Sequence, residues 1–264
     1  MVRAELLNTP EKSLTDISIS LIVFACVFGG AILGMFLNAT LPEHHLSDRS
    51  KDVVKLGMGL VGTMAAMVLG LQLSSAKSAY DTQSTELTQV ATKAILLDRA
   101  LAHYGPGSDD LRGRLRSALT DALQRLWPEE GTKAGTISAE PILAESLYDK
   151  IQALRPDDEL QRSTKATALS IAYELGQTRW LMIEQQANSV NGPLIAIVVL
   201  WLTIIFVSFG MFSPRNATVF FSLMICASAV SAAIFLILEM YSPYSGVIRL
   251  SSAPLRNALE HLGR

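Results

Sequence analysis

Cysteine is nearly absent from this chain, basic charge is not in excess, and no stretch alternates apolar and polar residues as a half-buried strand would. Only Cys26 and Cys226 occur among 264 residues, both inside apolar runs. No disulfide framework or cysteine zinc site is expected, and packing as small core residues accounts for both. The formal net charge is -2, so the basic face that nucleic-acid phosphates require is missing and no nucleic-acid partner is expected. His44 and His45 are adjacent, point apart on most backbones, and have no acid or cysteine at ligand spacing, so no metal is expected there. No nucleophile-base pair or supported phosphate loop appears, which leaves an enzyme the least favoured class, and no cofactor is expected.

What the sequence has is segregation. Residues 17–37, 53–73, 194–212 and 217–238 are apolar runs in which Lys55 is the only charge, and each is long enough to cross a bilayer, which takes about twenty residues. The charged residues lie mostly between the second and third runs. The expected fold is therefore an all-α membrane protein with four transmembrane helices, two plus two, around an α-helical cytoplasmic domain. Its parts are an N-terminal arm (1–16), transmembrane helices one and two (17–73), the cytoplasmic domain (74–192), transmembrane helices three and four (193–240), and a tail packing on the domain (241–264). The arm contains Glu5, Glu11 and Asp16, too acidic for a signal-peptide leader, so the first run is expected to be retained, capped by Thr15 or Asp16.

Within the spans, small residues recur at helical spacing. Gly30 and Gly34 form a small-xxx-small pair that admits a second helix backbone. Gly57-Met-Gly59-Leu-Val-Gly62 matches a dinucleotide fingerprint with Asp81 downstream, but no alternating strands and helices surround it, and helix packing explains its glycines. At 100° per residue the second span carries a small stripe, Gly59, Thr63, Ala66 and Gly70, suited to packing against a neighbouring helix. Beside it runs a bulky stripe, Leu60, Met64, Met67 and Leu71, which would line an apolar neck in a ring of subunits or else face lipid or the bundle core. The fourth span is rich in small residues from Ala227 to Ala233, which suits burial in a helix assembly.

The middle of the chain reads as helices throughout. Leu87, Val90, Ala94, Leu97 and Leu101 continue the second span without a break until Gly105-Pro106-Gly107. A helix capped by Ser108 or Asp109 carries Leu111, Leu115, Leu119, Leu123 and Leu126, another covers 138–154 with Ser138 as its start, and a long one covers 157–190. Arg112, Arg114 and Arg116 fan around their helix, a solvated face rather than a phosphate site. Trp180 suits an interfacial anchor. Lys and Arg near the span ends favour both termini and the domain on the cytoplasmic side of the inner membrane. Asn38-Ala-Thr40 and Asn216-Ala-Thr218 match glycosylation sequons by chance, since both abut the bilayer.

The tail, Glu239-Met-Tyr-Ser-Pro243-Tyr244-Ser-Gly246 and on to Ser251-Ser-Ala-Pro254-Leu255, resembles the end of the bacterial bestrophin-like domain family, and the two-plus-two layout matches over nearly the whole chain. That family looks like a distant relative of bestrophins, pentameric anion channels whose second helix lines the pore. The resemblance implies a homo-oligomer, pentameric if it follows bestrophins, in the lipid bilayer, passing inorganic anions along Leu60, Met64, Met67 and Leu71. Glu239, Pro243, Tyr244 and Gly246 correspond to the family's tail motif. Bestrophins follow their Pro-Phe-Gly segment with a calcium-binding acidic run and carry aromatic neck residues. Here residues 247–253 contain no acid and the neck residues are not aromatic, so calcium gating is not expected. Without the family, Pro243 ends the fourth span, Gly246 allows a sharp turn, and Ser251 or Ser252 starts a final helix with Leu255, Leu259 and Leu262. The rival reading is a non-conducting membrane-anchored scaffold or sensor whose helical domain binds a partner.

Overall fold

The computed structural model describes residues 9–40, 48–128, 144–187, 192–244 and 246–263. These form α1 (Thr9–Thr40), α2 (Asp48–Tyr104), α3 (Asp109–Leu126), α4 (Ala144–Ala153), α5 (Glu159–Ala187), α6 (Gly192–Phe212), α7 (Ala217–Met240) and α8 (Ala253–His261), with a 3-10 turn at Pro106–Ser108 and no strand among the described residues. The chain is an all-α membrane protein. Among the described residues four helices are long and apolar enough to cross a bilayer: Thr15–Thr40, Asp52–Tyr104, Gly192–Phe212 and Ala217–Met240. His44-His45, Ser138 and the first part of the helix expected at 138–154 lie outside the described residues.

The described residues divide into two compact units. One comprises those of Glu11–Ala79 and Val190–Tyr241 and contains the apolar helices. Its core is Val23, Val27 and Ala31 on α1, Phe206 on α6, and Leu223, Ala227, Ile234 and Leu238 on α7, at the three- and four-residue spacing of packed helix faces. Glycine sets the approach of α1 to α6. A β-carbon on Gly34 would collide with the Val207 carbonyl oxygen and come within 2.8 Å of the Met211 nitrogen, and one on Gly210 would collide with the Ala31 carbonyl oxygen. The small pair read from the sequence therefore meets α6 backbone to backbone. Ser231 Oγ donates to the Ser20 carbonyl at 2.6 Å, joining α7 to α1.

Several local expectations are corrected in this unit. Helix α1 already includes Thr9, so Asp16 is not a cap; it is buried inside the helix, and its carbonyl accepts from Ser20 Oγ. Cys26 and Cys226 are free and exposed, on the outer sides of their helices instead of in the core. Of the small residues on α7 only Ala227 is fully buried, while Ser228, Ala229, Ala232 and Ala233 remain exposed within the chain. Asn38 Nδ2 donates to the Ser213 carbonyl, and Asn216 Oδ1 accepts from Val219 N as the α7 cap, so both sequon asparagines serve the fold.

The other unit comprises the described residues of Tyr80–Ser189 and Ser242–Arg264. Leu87, Ala91, Ala94, Leu97 and Leu101 of α2 meet Leu111, Leu115, Leu119 and Leu126 of α3, Leu147 and Ile151 of α4, Ala168, Ala172 and Met182 of α5, and Leu255, Ala258 and Leu262 at the C-terminus in one core. Lys93 reaches Glu174 at 3.5 Å and Thr178 Oγ1 at 3.0 Å, and Gln185 Nε2 donates to Glu86 Oε1 at 2.7 Å. As the α2 number falls the α5 number rises, so these two helices run antiparallel. The 3-10 turn holds Ser108, whose buried hydroxyl donates to the Leu101 and Gly105 carbonyls and not to the start of α3.

Two of the arginines assigned to a solvated face belong to this core's rim. Arg112 grips the buried Asp98 through two hydrogen bonds of 2.9 and 3.0 Å, and Arg116 Nη1 donates to the Leu262 carbonyl at 3.2 Å. Arg114 alone stays at the surface, paired with Asp110 one turn back. The reason is the partner: Asp98 sits on the buried phase of α2 and needs a cation there.

Candidate functional site: the outward face of the second helix

Helix α2 is apolar and uncharged from Leu56 to Ala76, which requires a non-aqueous surrounding, yet its own chain supplies little of it. Only 6% of its apolar window is buried, against 33% for α1, 33% for α6 and 22% for α7. The bulky stripe is open along its length, with Leu60 65%, Met64 46%, Met67 71% and Leu71 65% exposed. Gly59, Thr63, Ala66 and Gly70 are exposed as well, and a β-carbon on Gly59 or Gly70 would meet nothing within 4 Å inside the chain. Ala65 and Gln72 are the buried positions between them.

The same helical phase continues beyond the apolar segment through Ser74, Ser78, Thr85 and Thr92, all exposed. Thr63 Oγ1 donates to the Leu60 carbonyl, Thr85 Oγ1 to Asp81, Thr88 Oγ1 to Ser84 and Thr92 Oγ1 to Thr88. These hydroxyl protons are committed to the helix, which leaves oxygen lone pairs and methyl groups outward. A shallow cleft of about 470 Å³ lies here, lined by Thr85, Thr88, Gln89, Thr92, Lys93 and Glu174 among others.

The tail is built as a hook. Helix α7 ends at Met240 with Glu239 fully buried, and Gly246 at φ 87 occupies the left-handed region that a side chain would strain. Leu250 N then donates to the Pro243 carbonyl at 2.8 Å, closing the hook. Trp127 holds it twice: its Nε1 donates to the Leu250 carbonyl at 2.8 Å, and its ring meets Tyr244 edge-on at 5.8 Å. Burial, with the nearby Glu86 charge, pushes the Tyr244 hydroxyl above its ordinary range, so it stays protonated. Behind the hook, Asp98 receives Gly263 N at 3.1 Å besides Arg112. Burial opposes the Asp98 charge, but the Arg112 hydrogen bonds, the Gly263 N–H and the Arg112 charge outweigh it and hold the carboxyl below its usual value.

The family model for the Bestrophin-like domain matches residues 25–255. The chain belongs to that family. Among solved structures it is similar to two single-substitution variants of a bacterial bestrophin homologue from Klebsiella pneumoniae. Both are 14% identical; one match covers 92% of this chain and 99% of that one at a TM-score of 0.64, the other 94% and 98% at 0.65. A further crystal structure, of a protein described only as a membrane protein, is 16% identical over 93% of this chain and 99% of that one, at a TM-score of 0.60. At such identities the likeness shows a shared fold. No curated protein matches the chain.

The Bestrophin-like chain does not fit a calcium site in its tail. Residues 247–253 lack any acid, Arg249 Nε is turned onto the Gly246 carbonyl at 2.9 Å, and among the described residues no group of three or more His, Cys, Asp or Glu is arranged to hold a metal ion. Sequence reasoning missed Asp98, Trp127 and Gly263. A signal for the first was available: Asp98 falls at the buried spacing between Ala94 and Leu101, where an unpaired charge is not tolerated.

Proposed function

We propose that this protein is the subunit of a homo-oligomeric, pentameric ion channel of the bacterial inner membrane, with α2 of each copy at the axis and both termini in the cytoplasm. Leu60, Met64, Met67 and Leu71 form an apolar constriction, while Gly59, Thr63, Ala66 and Gly70 receive the neighbouring subunit. The single observation that carries this reading is that the span of α2 is left uncovered by the described residues of its own chain, although it is long and apolar enough to cross a membrane. An uncharged apolar neck passes ions only when wetted, so its width and the bulk of its side chains set conduction. Inorganic anions are the permeant class that the family resemblance implies.

Chloride flux into liposomes containing the purified protein tests this. The expected result is flux in the wild type and a severalfold change in Leu60→Ala and Met64→Ala, because each removes bulk from the constriction. Flux that is absent from all three proteins, or indifferent to both substitutions, favours the membrane-anchored scaffold.

A further inference from the structure

A second feature of the membrane unit has no part in the conducting face. Helices α2, α6 and α7 enclose an open cavity of about 710 Å³, within the range of pockets that hold small ligands. Its walls are Met58, Gly62, Ile205, Phe209, Phe212 and Leu223, and its polar groups are few: Lys55, with the hydroxyls of Ser208, Ser213 and Ser222. Gly62 makes the floor, since a β-carbon there would meet only Ile205 Cδ1, at 3.9 Å.

The polar groups are unevenly placed. Lys55 lies at the start of the apolar part of α2, and Ser213 follows the last residue of α6, so both mark the end of the cavity where the spans stop. Among the described residues Lys55 meets Asp52 at 3.9 Å with both side chains well exposed, a loose pairing. Arg215, a further cation at this end, is engaged with the Met35 carbonyl at 2.8 Å. A cation at the water boundary above an apolar trough between membrane helices matches an amphiphile with one anionic head and an acyl tail. The bilayer itself supplies such molecules at that depth.

We infer that this cavity is a binding site for an anionic glycerophospholipid, its phosphate at Lys55 and an acyl chain lying over Gly62 between Ile205 and Phe209. None of Leu60, Met64, Met67 and Leu71 borders the cavity, and of the small stripe only Gly59 does, so the site does not depend on whether the protein conducts.

Native mass spectrometry of the delipidated oligomer, titrated with phosphatidylglycerol or phosphatidylcholine, tests the inference. The wild type is expected to take up phosphatidylglycerol saturably, one per subunit, about fivefold more tightly than phosphatidylcholine, the ratio that one interfacial lysine provides. Lys55→Gln brings the two lipids level, and Gly62→Leu, which fills the floor without a backbone collision, weakens both. Adducts that grow without saturation and equally in all three proteins overturn the site, leaving only annular lipid. So does an efficient disulfide between subunits through cysteines placed at Met58 and Phe209, because a second copy then occupies the cavity.

Discussion

At the scale of single residues, the clearest energetic device is the grip of Arg112 on Asp98. The carboxylate is nearly buried and two-pronged geometry satisfies it, so removing its charge strands a half-buried guanidinium. Asp98→Asn is expected to cost about 3 kcal/mol, seen as a lower melting temperature in detergent. The pH dependence has a definite sign. Because the folded-state value of Asp98 is depressed, its contribution is complete above the unfolded value of about 3.9 and is lost as pH falls through the lower folded value. Melting of the wild type from about pH 5 down to about pH 2 should therefore fall more steeply than melting of Asp98→Asn. The arginine run looked like a fan in sequence because side-chain direction was all it offered. Its partners lie 14 residues upstream for Arg112 and 146 downstream for Arg116, separations that no local pattern encodes.

Among the elements, the crossing of α1 and α6 depends on glycine in a way that periodicity foretold on one side only. Gly30 and Gly34 announced a close approach, but the matching Gly210 belongs to a helix whose face is set by packing. Gly34→Leu and Gly210→Leu are each expected to destabilise the membrane unit by about 3 kcal/mol, since the collision is with backbone and cannot be relieved by a rotamer change. Gly29→Ala, one position from Gly30, meets nothing within 4 Å and should leave thermal stability unchanged or slightly raised. The recovery of monodisperse protein and its melting temperature separate these outcomes. Helix α2 shows the converse: periodicity marks two stripes on one span, and only the three-dimensional packing revealed that neither is consumed by the described residues of the chain itself.

For the whole molecule, an apolar span without an internal partner is a statement about assembly. Exposed Leu60, Met67 and Leu71 must meet lipid, one another across an axis, or a neighbouring copy, and a ring satisfies the small and the bulky stripe together. Native mass measurement of the detergent-extracted protein should give five subunits; a dimer, which cannot easily enclose an axial pore, would leave α2 facing lipid and sink the channel reading. The four spans, the helical character of the middle and the Pro243–Gly246 reversal were legible because chain length, hydropathy and turn chemistry are local properties that solvent reads directly. The place of Asp16 inside α1, the outward cysteines, the Trp127 hold on the tail and the Asp98 clamp were decided only by tertiary structure. Each depends on which distant group arrives beside a residue, and that is settled by the packing of whole helices against one another.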